Sequence, residues 1–203
     1  MRPAAIPLRV LHRSSAIVAI AFLVLHLANH LAGLSGQATH IAAMSKLRAV
    51  YRNDAVEPVV LFAFAWQIVT GIILVIRGWR NRRGVIAWVQ AVSGLYLAAF
   101  LAVHVGAVLA GRSGGLDTNF NFAAAGMHAG AGAFFVPYYF AAVLAVGTHV
   151  GCAVYWWRGG TTPMPVIVGA AVGTILGGAF VMMLTGSFYA VDIPDAYLKM
   201  WSR

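Results

Sequence analysis

The chain has 203 residues, 61% of them hydrophobic and only 9% charged, with 14 basic side chains against 5 acidic ones. Soluble domains carry about 25% charged residues, so this composition excludes an ordinary water-soluble fold and indicates an integral membrane protein. The net charge of +9 would indicate nucleic acid in a soluble protein. Here the basic residues gather between apolar runs, where membrane surfaces rather than nucleic acid are the expected partner.

Five apolar runs, near 14–34, 56–76, 85–110, 133–157 and 165–186, are each long enough to cross a bilayer as a helix of about 20 residues. Little chain remains between them. The expectation is therefore an all-α bundle of five transmembrane helices forming one domain over residues 1–203.

Residues 1–13 form a basic lead-in ending in Leu11-His12-Arg13-Ser14-Ser15. The first run, SSAIVAIAFLVLHLANHLAG, is longer than the apolar part of a signal peptide and is expected to stay as a span. It carries His26 and His30, four residues apart and so on one helical face. A polar ring in such a helix must face the bundle interior and find a partner. Gly33 and Gly36 then break the helix. Residues 39–52 place Ile41, Met44 and Leu47 opposite Lys46 and Arg52, which predicts a short amphipathic helix lying on the outer membrane surface.

The second span begins near Val56, after Asp54 and Glu57, and ends in the turn RGWRNRR. Trp79 and Trp88 flank that turn where an interfacial aromatic belt would sit. The third span ends at Gly111-Arg112, and the glycine-rich stretch 111–132 is expected to be irregular. The fourth contains Pro137 and closes at Tyr155-Trp156-Trp157-Arg158. The fifth carries Gly169, Gly173 and Gly177 at four-residue intervals, a stripe that lets another helix approach closely. The tail, FYAVDIPDAYLKMWSR, is expected along the outer surface. Cys152 is the sole cysteine, so no intrachain disulfide forms.

With the N-terminus inside, Arg2, Arg9, Arg13, Arg77, Arg80, Arg82, Arg83 and Arg158 all fall on the inner side. Asp54, Glu57, Asp117, Asp192 and Asp195 fall outside with the remaining basic residues. Basic residues in short loops dominate orientation, so N-in, C-out is predicted.

The first and third spans align without a gap. Ser15, Ala21-Phe22-Leu23, His26 and Leu31-Ala32-Gly33 fall on Ser93, Ala99-Phe100-Leu101, His104 and Leu109-Ala110-Gly111. His30 falls on Val108, which favours His26 as the partner of His104. At a rise of about 1.5 Å per residue, His26 and His104 share the outer half of the bilayer. His149 lies in the inner half, and the second span has Gln67 at that level. Spans one and two thus repeat weakly as spans three and four.

Two imidazoles at one depth on different helices suit axial ligation of haem iron, with small neighbours such as Gly94 and Gly106 making room for the ring. A buried pair bonded to carbonyls or polar side chains, and another metal or a proton path, are the alternatives. His30, His40 and His128 fall near the outer surface, and with His26 and His104 they would suit zinc or copper, or a quinone site. Gly111-Arg112-Ser113-Gly114-Gly115 spells G-x-S-x-G, but it closes an apolar span instead of forming a strand-to-helix elbow, and no glycines have phosphate-loop spacing, so hydrolase and nucleotide chemistry have no support.

On Leu11-His12-Arg13-Ser14, Phe22-Leu23…His26-Leu27…Asn29-His30, Gln90…Ser93-Gly94…His104-Val105 and His149, the chain resembles the five-helix cytochrome b subunit that anchors succinate:menaquinone oxidoreductase and fumarate reductase. The resemblance covers nearly the whole chain. It implies a haem-b electron-transfer subunit in a bacterial cytoplasmic membrane, not itself catalytic. Such a subunit would link cytoplasmic flavoprotein and iron–sulfur partners to membrane quinone. Larger members hold two b haems. Carried over, the outer haem would use His26 and His104, with His30 beside them. The inner would use His149 and the position held here by Gln67, a poor iron ligand, so one haem is expected. The alternative is a non-redox membrane protein on the same scaffold, binding a metal or ligand through its outer histidines.

Overall fold

The structure is a computed structural model that describes residues 7–200. Arg2, Arg203 and the last residues of the tail lie outside the described residues. Among those described there are eight α-helices and one 3-10 turn, with no strand. Five helices are long and apolar enough to cross a membrane: α1 (Leu8–Gly33), α3 (Val56–Gly78), α4 (Val85–Ser113), α6 (Gly132–Trp157) and α7 (Met164–Leu184). The protein is thus an all-helical, multi-pass membrane protein. The shorter helices are α2 (Gln37–Tyr51), α5 (Phe120–His128) and α8 (Asp195–Leu198).

Pro7 precedes α1. A proline is pre-set for a helix start and lacks the N–H that a helix would leave unpaired there. The basic lead-in is therefore helical from Leu8, and His12 and Arg13 belong to the first span. The spans alternate in direction. One end of the bundle carries α2, α5, α8 and the tail; the other carries the 3-10 turn Trp79–Asn81 and its arginines. We call these the capped end and the arginine end.

Around the bundle, α1 packs on α3, α3 on α4, α4 on α6 and α6 on α7. The α6–α7 seam is the tightest. A Cβ added at Gly147 would lie 2.1 Å from the Gly169 carbonyl oxygen, and one at Gly169 would lie 2.2 Å from that of Gly147. Gly151 and Gly173 sit against backbone in the same way. The stripe on α7 thus meets a second glycine pair on α6, and only residues without side chains permit this approach. The lipid-facing side of the spans is apolar, with Ile17, Phe62, Ile76, Val92 and Ile175 all exposed.

Three expectations about the capped end need correction. The stretch 111–132 is not irregular throughout, because Asn119 caps α5 by accepting from the Asn121 backbone N–H. Three alanines then carry the turn. Helix α2 does not simply lie on lipid. Its His40 and Met44 are buried, and it packs on α1, α3 and α5. Nor does the tail merely lie along the surface: most of its described residues are exposed, but two are buried anchors. Ile193 and Tyr197 are buried with Phe120, Ala124, Met183 and Leu184. The Tyr189 hydroxyl donates to the Gly33 carbonyl at 2.6 Å, and Gln37 donates to the Asp192 carbonyl at 2.8 Å. The most fully packed core of the molecule is this cap.

Candidate haem site

The middle of the bundle is not filled by side chains. Helices α1, α3, α4 and α6 line a partly open cavity of about 1640 Å³, reaching from Arg9 and Arg82 at the arginine end to Arg48 and Glu57 near the cap. A pocket for one small molecule is roughly 300–1,000 Å³, so this space suits a larger ligand or more than one.

His26 on α1 and His104 on α4 meet in its capped-end half, with ring centres 6.1 Å apart. Two imidazoles bonded to one metal at about 2 Å each would have ring centres roughly 6 Å apart. Each ring is backed by a phenylalanine one turn away. Phe22 stacks on His26 at 5.5 Å and 17°, and Phe100 stacks on His104 at 5.1 Å and 13°. The 78-residue repeat is therefore realised in three dimensions, and it presents the same imidazole–phenyl pair twice.

His30 turns away from His104 toward the cap. Its ring rests against Phe180 of α7, with centres 5.2 Å apart. Its Nε2 is 3.4 Å from His26 Nε2, and its Nδ1 is 3.2 Å from His40 Nε2. Asn29 extends this line, its Nδ2 lying 3.1 Å from the same His40 nitrogen. Burial pushes the His40 imidazole down to about 4, with the Arg48 guanidinium adding to the effect, so it is neutral at pH 7. Asn29 and His40 are 2% and 1% exposed, yet Asn29 Oδ1 and His40 Nδ1 have no partner among the described residues. Buried polar atoms left unpaired beside a cavity are the places a polar ligand group or water would satisfy.

The outer candidate His128 and the outer acid Asp117 are not in this group. His128 donates from Nε2 to the Leu184 carbonyl at 2.9 Å, tying α5 to α7. Asp117 forms an ion pair with Arg48. Neither lines the cavity. Among the described residues, no group of three or more His, Cys, Asp and Glu side chains is placed to hold a metal ion. The pair His26 and His104 is the closest cross-helix imidazole pair of the spans that the cavity contains.

The arginine-end half shows the repeat again. His149 Nδ1 lies 3.2 Å from both the Gln90 carbonyl and Ser93 Oγ. Gln67 Nε2 lies 2.6 Å from both the His12 carbonyl and Ser15 Oγ. His12 and Ser15 precede Gln90 and Ser93 by the same 78 residues that separate His26 from His104. Gln67 thus occupies the place in its half that His149 occupies in the other, with its amide turned onto α1. His12, which in the sequence stands out only as part of a short motif, belongs to this half. It lines the cavity, and its offset from Gln90 was the signal available.

Set against family models, curated proteins and solved structures, the chain matches none of them.

Proposed function

We propose that the protein is a haem-b membrane anchor subunit, passing electrons between membrane quinone and a flavoprotein/iron–sulfur dehydrogenase of the succinate/fumarate type. The observation carrying this reading is the His26–His104 pair, at a ring separation suited to one shared metal, inside a cavity larger than its own side chains need. Haem held by two imidazoles supplies single-electron transfer. His26 and His104 would hold the iron from two helices, with Phe22 and Phe100 stacked on their rings to fix the orientations. Apolar walls such as Leu23, Leu101 and Val105 exclude water.

Quinone is placed at the capped end, where His30, His40 and Asn29 form a line of hydrogen-bonding groups ending in unpaired buried atoms. A neutral imidazole such as that of His40 both donates and accepts. With the capped end outside, the arginine end faces the cytoplasm of a bacterial cell and offers Arg77, Arg80 and Arg83 to an acidic partner surface and to anionic lipid.

The test is the dithionite-minus-oxidised spectrum of the purified, folded protein, with quinol-driven reduction measured alongside. Bands of b type are expected. A folded protein without them refutes the proposal.

A further inference from the structure

A second recess lies on the outside of the bundle. Between α4 and α6 a groove of about 700 Å³ runs from Gly84 and Val85, where α4 begins, to Tyr96 and Ala141. Trp88, Val92 and Tyr96 form one wall, and Ala141, Leu144 and Ala145 form the other. Val85 and Val92 are 78% and 63% exposed, so the groove opens toward lipid. The stretch from Val85 to Tyr96 rises about 16 Å, roughly the depth of one leaflet of a hydrocarbon core about 30 Å thick.

The polar atoms along the groove are already engaged. The Tyr96 hydroxyl donates to the Tyr138 carbonyl at 2.8 Å, Thr148 Oγ1 to the Leu144 carbonyl at 2.7 Å, and Ser93 Oγ to the Gln90 carbonyl at 3.2 Å. A guest therefore finds only apolar surface along its length.

The arginine end of the groove has the opposite character. Arg82 Cζ stands 5.3 Å over the Trp88 ring, and Arg83 immediately precedes Gly84. Arg83 Nη1 donates to the Arg80 and Arg82 carbonyls at 3.1 and 3.2 Å, which gathers its cation onto the turn. Helix α4 starts here with no side-chain cap and no acidic residue in its first turn, so its first backbone N–H groups add to the pull on an anion. No protein carboxylate answers them. Asp54, Glu57, Asp117, Asp192 and Asp195 all belong to the capped end, and so do both ion pairs among the described residues.

The same charges argue against a second copy as the occupant. Copies in one membrane share an orientation, so pairing through this face would set the arginines of one copy against those of the next with no acid between them. An acyl chain carrying a negative headgroup meets both halves of the groove at once. We propose that the α4–α6 groove binds one anionic phospholipid, an acyl chain lying along Trp88, Val92 and Ala145 and the headgroup meeting Arg82, Arg83 and the start of α4. The proposal does not depend on what the central cavity holds.

The experiment is native mass spectrometry of the full chain in mild detergent, titrated with phosphatidylglycerol or with phosphatidylcholine of the same acyl chains. Wild type is expected to retain one phosphatidylglycerol, at a concentration at least about tenfold below that needed for phosphatidylcholine. Val92→Trp fills the groove from an exposed position and should abolish the adduct where wild type is saturated. Ile175→Trp, on the exposed face of α7, should leave it unchanged. Arg82→Gln and Arg83→Gln should each narrow the preference for phosphatidylglycerol about fivefold, the worth of one basic residue at an anionic surface. Size-exclusion elution and helical circular dichroism report folding, and Arg83 is exposed, so its variant carries the charge test if Arg82→Gln is unstable. Equal retention of the two lipids overturns the headgroup site. An adduct that survives in Val92→Trp overturns the groove. A dimer, or a bound protein subunit, that Val92→Trp dissociates makes a polypeptide the occupant and overturns the lipid. Folded wild type that retains no lipid overturns the proposal outright.

Discussion

Gly147→Ala tests whether the α6–α7 seam holds the bundle together. The added Cβ would lie 2.1 Å from the Gly169 carbonyl oxygen, 3.1 Å from its carbonyl carbon and 3.1 Å from the Gly173 Cα. All three are backbone atoms, so no side chain can rotate away. An ordinary carbon–oxygen contact is about 3.3 Å, so the helices must part by roughly 1 Å along much of their shared glycine face. Overpacking of this kind costs about 1–3 kcal/mol and more where backbone must move; we expect the upper end. For a chain of this size, about 3 kcal/mol corresponds to a fall in melting temperature of roughly 6–12 °C. Loss of the monodisperse size-exclusion peak after heating in detergent measures it. Gly178→Ala is the control, since a Cβ there meets nothing within 4 Å. It should leave the midpoint unchanged or raise it slightly, alanine being the better helix former. A Gly147→Ala midpoint within about 2 °C of wild type, against the 2–4 °C expected per kcal/mol, would refute the reasoning. On the proposed function, His26 and His104 should keep their haem in either variant.

Further outcomes follow from the site. His26→Ala and His104→Ala should each remove the capped-end haem, whereas His30→Ala should leave most of it; haem per chain decides, and the reverse pattern for His26 and His30 would reassign the ligand. Gly94→Val should push on the His149 ring, whose Cε1 lies 2.9 Å from where the first added carbon would go. The thermal midpoint should then fall, with haem at the His26–His104 pair unchanged. His40 gives a pH signature. Its folded value near 4 lies below the unfolded 6.5, so between these values the unfolded chain binds the extra proton. Stability is complete above about pH 6.5 and falls as pH drops toward 4, by up to about 3 kcal/mol. His40→Gln should flatten that part of the pH–stability curve, whatever its effect at pH 7.

The spans were legible because the bilayer demands long apolar runs, and Gly169, Gly173 and Gly177 announced a close helix contact before the partner was known. The contact needed Gly147 and Gly151 on α6 as well, and a second stripe is plain only once the helices are paired. The cap was harder to read. Phe120, Ala124 and Ala125 are apolar but too few to form a span, and the glycines around them masked a nine-residue helix. The tail resembled a surface segment because its anchors are dispersed. Tyr189 reaches a carbonyl in α1, 156 residues away, a contact that leaves no local pattern. Spacing singled out His26 and His104, whose rings the structure brings together, and the correspondence of Gln67 with His149. His12 was missed because its surroundings are basic and read as lead-in; only the proline at position 7 says that a helix has already begun. The grouping of His30 with His40 and Asn29, without His128 or Asp117, depends on how α2 folds back, which spacing does not convey.

The glycine seam also makes the two sides of the cavity mechanically unequal. On one side α6 is clamped backbone to backbone by α7. On the other, the outward face of α3 presents Val59, Phe62, Val69 and Ile76 to the hydrocarbon chains, which yield on the timescale of lipid motion. One wall is stiff and the other compliant. A rigid planar molecule entering from the membrane would then do so by displacing α1 and α3 as a leaf, with α4, α6 and α7 serving as the fixed jamb. Amide exchange should accordingly be faster in α3 than in α6 when the cavity is empty, and the difference should narrow once the interior is filled.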